Sequence, residues 1–188
     1  MGHPKRREFI ESMDKALGEK VPISIDIGFG LWENCKRAWL LYDKDADYHV
    51  VLQDDAIICK DFKKKAEQFI SKYNKEKRAF NFYFGRRVSM NKNILAEGIT
   101  NGYIILPKNM WGVAICLPTS EIKSMIEKCD TMTHIPQDDT RIGRYLSGKK
   151  FNIIYPMPSL IDHRSDLESL VGNALSNGRR AYKFIDNE

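Results

Sequence analysis

The sequence predicts an α/β sandwich around a largely parallel sheet. Three observations carry that prediction. Short apolar runs of strand length alternate with amphipathic segments along the 188 residues. Each amphipathic segment repeats its apolar residues at helical spacing. Polar clusters close several of the apolar runs, as happens where an open α/β sheet holds a ligand beyond its strand ends.

The elements follow in chain order. Residues 4–17 place Phe9, Ile10, Met13 and Leu17 on one helical stripe. Pro22-Ile23-Ser24-Ile25-Asp26 reads as a short strand ending on an acid. Leu31, Cys35, Ala38, Trp39 and Tyr42 form the stripe of a helix over 31–42. His49-Val50-Val51-Leu52 is a strand closed by Gln53-Asp54-Asp55. Phe62, Ala66, Phe69, Ile70 and Tyr73 mark a helix over 62–73. Phe80-Asn81-Phe82-Tyr83-Phe84 alternates in aromatic character and stops at Gly85. Residues from Ser89 to Gly102 lack a clear pattern and are expected to form a mobile flap. Tyr103–Leu106 and Val113–Leu117 are strands, each stopped by a proline. A helix starts at Thr119 or Ser120 and runs through Ile122, Met125 and Ile126. A shorter helix covers 138–146, and Asn152–Tyr155 is the last strand. With no repeat, low-complexity stretch or linker, a single domain over 1–188 is expected.

Composition narrows the function classes. Thirty Lys+Arg against 25 Asp+Glu give a net charge of +5, which permits an anionic partner without requiring one. No apolar run approaches the roughly 18 residues of a membrane span, and MGHPKRREF has no signal-peptide core. None of the four cysteines forms a CxxC pair, which excludes zinc-knuckle and thioredoxin-type sites; a reducing cytoplasm is the expected compartment. GxGxxG, Walker A, GxSxG and HExxH motifs are absent from the sequence.

Four clusters have chemical potential. In Gln53-Asp54-Asp55, adjacent carboxylates interrupt a buried run, since Ala56-Ile57-Ile58 follows at once. Such a pair is costly unless a cation neutralises it, and hard oxygen ligands suit magnesium or manganese. The plain alternative is a solvated turn. Gln137-Asp138-Asp139 opens a helix, where acids favour the first turn. Capping explains one Asp, and the second suits a general base or a sugar hydroxyl. His163 follows two prolines, in PMPSLIDHR, and a neutral imidazole there would complete a carboxylate–His metal site. Among basic segments, Lys60 to Arg78 holds eight Lys+Arg and three acids, and is most simply a solvated helix face. Arg86-Arg87 follows a strand end, where a phosphate is met.

In order, His3-Pro4-x-Arg6, Asp26, VLQDDAIICKDF, WGVAICLP, PQDD and PMPSLIDHRSDLESLVGN resemble small glycosyltransferases of the GT-A fold, particularly the compact versions of bacteriophage genomes. The resemblance implies a Rossmann-like α/β/α sandwich with a mixed, mostly parallel sheet. It implies an apolar strand ahead of the His3-Pro4 element, which the expected sheet lacks. It makes Asp55 and His163 ligands of manganese or magnesium. Asp26 and Asp54 would contact the nucleoside of a UDP-type sugar donor, with Gly112 beside the donor sugar. Arg86, or Arg179 or Arg180 of the tail, would add charge at the diphosphate. Asp138 and Asp139 would be the catalytic acids, and residues 165–188 a tail closing over the nucleotide. Gln53 departs from the usual first acid of the motif. The implied activity is sugar transfer to a hydroxyl, with hydroxymethylated phage DNA, reached through the Lys60–Arg78 face or Arg86-Arg87, a cell-surface glycan and a small hydroxylated molecule as alternative acceptors. A nucleotidyltransferase and a non-catalytic binding module with a degenerate fold are the competing readings.

Overall fold

A computed structural model describes residues 1–86, 92–164, 167 and 179–187. Pro4–Arg6 makes one 3₁₀ turn that feeds α1 (Arg7–Leu17). Gly18, in the left-handed region at φ 72°, ends α1 and returns its N–H to the Lys15 carbonyl. Then come α2 (Leu31–Trp39), β1 (Tyr48–Leu52), β2 (Ala56–Ile58), α3 (Phe62–Tyr73), β3 (Arg78–Asn81), α4 (Lys92–Asn101) and β4 (Tyr103–Leu106). The chain continues with β5 (Ala114–Pro118), α5 (Thr119–Asp130), α6 (Asp138–Gly148), β6 (Asn152–Pro156) and β7 (Ile161–His163). The result is an α/β protein with a five-stranded mixed sheet, in the order β1-β5-β3-β6-β4, and a second sheet of β2 and β7.

The main sheet corrects the expected direction. It is mostly antiparallel: β3–β6 is parallel, while β1–β5, β3–β5 and β4–β6 are antiparallel. The reason lies in the connections. β4 runs opposite to β3, so α4 joins them at one end of the sheet and is not a crossover helix. The irregular stretch 107–113 then carries the chain back to start β5. Sequence alternation of helix and strand records neither fact.

Side-chain alternation buries both faces of this sheet. Ile115 and Leu117 of β5, with Ile153 and Tyr155 of β6, join a core with Trp39, Met125 and Leu146 from α2, α5 and α6. Ala114, Cys116 and Ile154 point the other way, against Phe62 and Ala66 of α3 and Ile161 of β7. The period of two along each strand thus feeds two cores.

Two local expectations also change. Residues 92–101 of the expected flap form α4, whose Gly98 lies against the Ile104 side chain with no room for a Cβ. Residues 22–26 are not a strand; Ile25 makes only an isolated parallel bridge with Gly2. No helix among the described residues is long and apolar enough to cross a membrane.

Candidate functional site

β1, β3 and β6 run in one direction, and their carboxyl ends meet where β5 begins. The antiparallel β2–β7 pair sits at this end. Its register sets Ala56 opposite His163, and the Arg164 N–H continues the ladder to the Asp55 carbonyl at 2.9 Å. A three-residue strand therefore brings His163 alongside Asp55 across most of the chain.

Arg6 organises the acid pair. Its Nη1 lies 2.9 Å from Asp54 Oδ1 and 3.0 Å from Asp55 Oδ2. The other Asp54 oxygen accepts the His3 N–H at 2.7 Å. Burial acts to raise the Asp55 carboxyl, but His163 and Arg6 beside it outweigh burial and hold it below the ordinary range. The cation demanded by two adjacent buried carboxylates is thus supplied, at least in part, by the chain itself.

His163 Nε2 is 3.3 Å from Asp55 Oδ2, and its Nδ1 is 2.6 Å from the Arg164 carbonyl. A carbonyl only accepts, so Nδ1 carries the proton. Nε2 then faces the carboxylate either protonated or as a bare lone pair, the form in which imidazole binds a metal. Asp55 Oδ1 is buried and has no hydrogen-bond partner among the described residues. A buried carboxylate oxygen left without a donor is costly, and a divalent cation between it and His163 would satisfy both. Carboxylate oxygen and imidazole nitrogen suit manganese or magnesium. No group of three or more His, Cys, Asp or Glu side chains gathers among the described residues. The remaining positions on such an ion would fall to ligand oxygens and water.

The second acid pair lies next to the first. A Cβ on Gly112 would stand 3.0 Å from Gln53 Nε2 and 3.1 Å from Asp139 Cβ, so Gly112 is the small residue that lets the two motifs approach. Asp139 is half-buried at the start of α6. Asp138 is turned inward; its carboxylate accepts the Asp139 N–H at 2.9 Å. Burial first, and then the Asp139 charge, push the Asp138 carboxyl up to about 6. Burial, with Asp138 beside it, pushes the Cys35 thiol up as well.

The other expected residues make contacts of their own. Asp26 binds the Gly2 carbonyl through its N–H, and its side chain caps the Gly28 N–H at 2.9 Å, placing it in a turn. Arg86 is exposed, and its Nε donates to the Ala181 carbonyl at 3.3 Å, tying β3's extension to the returning C-terminal segment. Arg179 is half-buried and, with Arg180, bears electrostatically on the Tyr83 hydroxyl. Of the expected tail, 167 and 179–187 are described; 165–166, 168–178 and 188, including the SLVGN stretch, and Arg87 lie outside the described residues. The basic face of α3 is solvated: Lys63 pairs with Glu19 at 2.8 Å, and Lys64 and Lys72 are exposed.

Three features escaped the sequence reading. Arg180 ion-pairs with the buried Asp162, which also accepts the Ala181 N–H at 2.6 Å. Trp111 meets Tyr83, Phe84 and Tyr155 edge-on, and Tyr83 in turn stacks obliquely near His163. Arg6 bridges both site carboxylates. Only the last had a signal, the His3-Pro4-x-Arg6 element ahead of an acid pair in need of a cation. Comparison of the sequence with protein-family models and with curated proteins finds no match in either.

Proposed function

We propose that the chain is a metal-dependent glycosyltransferase that uses a nucleoside diphosphate sugar, of UDP type, as donor. One observation carries this reading: the buried oxygen of Asp55, without a hydrogen-bond partner among the described residues, beside His163 at the carboxyl ends of three strands. The resemblance of the sequence to compact GT-A enzymes supports it. Asp55 and His163 would hold manganese or magnesium, which supplies charge neutralisation to the departing diphosphate. Arg6 keeps Asp55 ionised and fixed in orientation. The donor sugar would lie over Gly112, beside Gln53 and Asp139, as the resemblance implies. In an inverting transfer, the acceptor oxygen bonds to the anomeric carbon as the bond from that carbon to the phosphate oxygen breaks. The bonding pair leaves with the nucleoside diphosphate, and the acceptor proton passes to Asp139.

The test is a thermal-shift screen of UDP-, GDP-, ADP- and TDP-sugars, each with and without manganese. Mass action at saturating ligand raises the melting temperature by about 5–10 °C for a chain of this size. The expected result is a rise that needs both manganese and one nucleotide, and that disappears in Asp55→Asn and in His163→Ala. No rise with any pair, or an unchanged rise in both variants, would overturn the proposal.

A further inference from the structure

Gly85 forms the floor of a cradle beside the site. It is buried at the end of the aromatic run that extends β3, and a Cβ there would stand 2.8 Å from the Tyr83 hydroxyl oxygen and 2.9 Å from Trp111 Nε1. Two hydrogen-bonding groups thus converge on one point, and the missing side chain leaves that point unfilled. Neither the Tyr83 hydroxyl nor the Trp111 indole N–H has a hydrogen-bond partner among the described residues. Tyr83 is 2% exposed, and a buried hydroxyl without a partner is costly. The indole is fixed in place. Phe84, Tyr83 and Tyr155 meet it edge-on at 5.1, 5.9 and 5.8 Å between centroids, and the Trp111 carbonyl accepts from Asn81 and Asn109. The two groups are therefore oriented before any ligand arrives.

The surroundings say what would enter. An indole N–H only donates, and burial foremost pushes the Tyr83 hydroxyl up, so the phenol keeps its proton and donates as well. The ligand atom is therefore an acceptor. Asp162, Arg179, Asp55 and Arg180 all bear on the Tyr83 hydroxyl, and the Tyr83 ring lies 6.1 Å from that of His163. Asp55 already has Arg6, and Asp162 has Arg180. Arg179 ion-pairs with no acid among the described residues, which leaves positive charge in surplus. A sugar hydroxyl would satisfy the two donors alone, whereas an oxyanion satisfies the donors and the charge. We propose that Tyr83 and Trp111 form a cradle over Gly85 that binds a phosphoryl oxygen. Assigning that oxygen to the diphosphate of the donor rests on the transferase reading. The cradle then gives the diphosphate two neutral hydrogen-bond donors beside Asp55 and His163.

Inorganic phosphate, pyrophosphate and UDP are the probes, each titrated with and without magnesium into the natural chain, Tyr83→Phe and Trp111→Phe. Each variant keeps an aromatic ring and removes one donor. The chain has three tryptophans, so the Trp111 indole N–H is the resonance missing from Trp111→Phe in proton–nitrogen NMR spectra. The expected result is a displaced Trp111 resonance with pyrophosphate and UDP, and binding weaker by about tenfold or more in each variant, the worth of a hydrogen bond to a charged group. Tyr83→Phe should melt no lower than the natural chain, since its hydroxyl has no partner among the described residues to lose. A response to inorganic phosphate as strong as that to pyrophosphate would support the cradle and overturn its assignment to a diphosphate. Equal affinities in the three chains, or a Trp111 resonance unmoved at saturation, would overturn the cradle itself. So would a response to free glucose with none to pyrophosphate. The two readings fail separately. The cradle falls alone if a nucleotide sugar binds with manganese while all three chains bind UDP equally. The transferase reading falls alone if pyrophosphate binds through Tyr83 and Trp111 while no nucleotide sugar binds.

Discussion

The tripeptide Gln-Asp-Asp occurs twice, at 53–55 and at 137–139. The first copy closes β1 and lies against basic side chains: the Arg6 guanidinium touches both carboxylates and the His163 imidazole touches one. The second opens α6, and no cation among the described residues ion-pairs with Asp138. The two copies meet across Gly112, yet one carboxyl of each moves in the opposite direction: Asp55, last in its copy, down, and Asp138, in the middle of its copy, up. Burial acts on both. What differs is whether a positive group stands close enough to outweigh it. Identical local sequence thus yields one site built to hold charge and one built to resist it.

Removing the cation from the first copy should break the contrast most severely. Arg6→Met leaves Asp54 and Asp55 buried beside one another without their shared partner, a loss of about 3–5 kcal/mol. Urea denaturation is the check, and a midpoint equal to that of the natural chain would show that the ion pairs stabilise nothing.

The second copy makes a prediction of opposite sign. Asp138 titrates near 6 in the folded chain against an ordinary 3.8. The folded state therefore binds the extra proton between these values, and its stability falls as pH rises from about 4 to 6. Asp138→Asn removes that penalty, so the variant should be more stable than the natural chain at pH 8 by up to about 3 kcal/mol, and equal to it at pH 4. Asp55 behaves conversely: its contribution is present above the ordinary carboxylate range and is lost as pH falls through its depressed value. Thermal melts of the natural chain and of Asp138→Asn at the two pH values decide the point, and a difference between them that ignores pH would refute it.

The smallest effect belongs to the contact between the copies. Gly112→Ala inserts a methyl group 3.0 Å from Gln53 Nε2 and 3.1 Å from Asp139 Cβ. Overpacking there should cost about 1 kcal/mol, with a larger loss in donor-sugar affinity than in stability. Calorimetry with the donor found in the nucleotide screen separates the two, and unchanged affinity would remove Gly112 from the sugar subsite.

Much of this was readable in the sequence, for reasons that also explain the rest. α1, α2, α3, α5 and α6 announce themselves because each buries one stripe, as Ile122, Met125 and Ile126 do on α5. α4 did not, because its one buried residue is Gly98, which shows in no apolar pattern. Strand direction was invisible because a helix between two strands does not say whether it crosses the sheet. β2 and β7 are three residues each, too short for alternation to register. In the site, the acid pairs and His163 stood out as residue types in unusual company. Their arrangement did not, since the Arg6 contacts join residues 48 and 49 positions apart through packing alone.

The β2–β7 register has a consequence for how the molecule comes into being. Asp55 leaves the ribosome long before His163, and Arg180, which anchors Asp162 beside it, comes later still. Until that last segment docks, β2 has no partner strand and Asp55 has Arg6 alone. The site is therefore completed only after Arg180 has been made, by contacts distant in sequence, which form slowly and confer nothing on a shorter nascent chain.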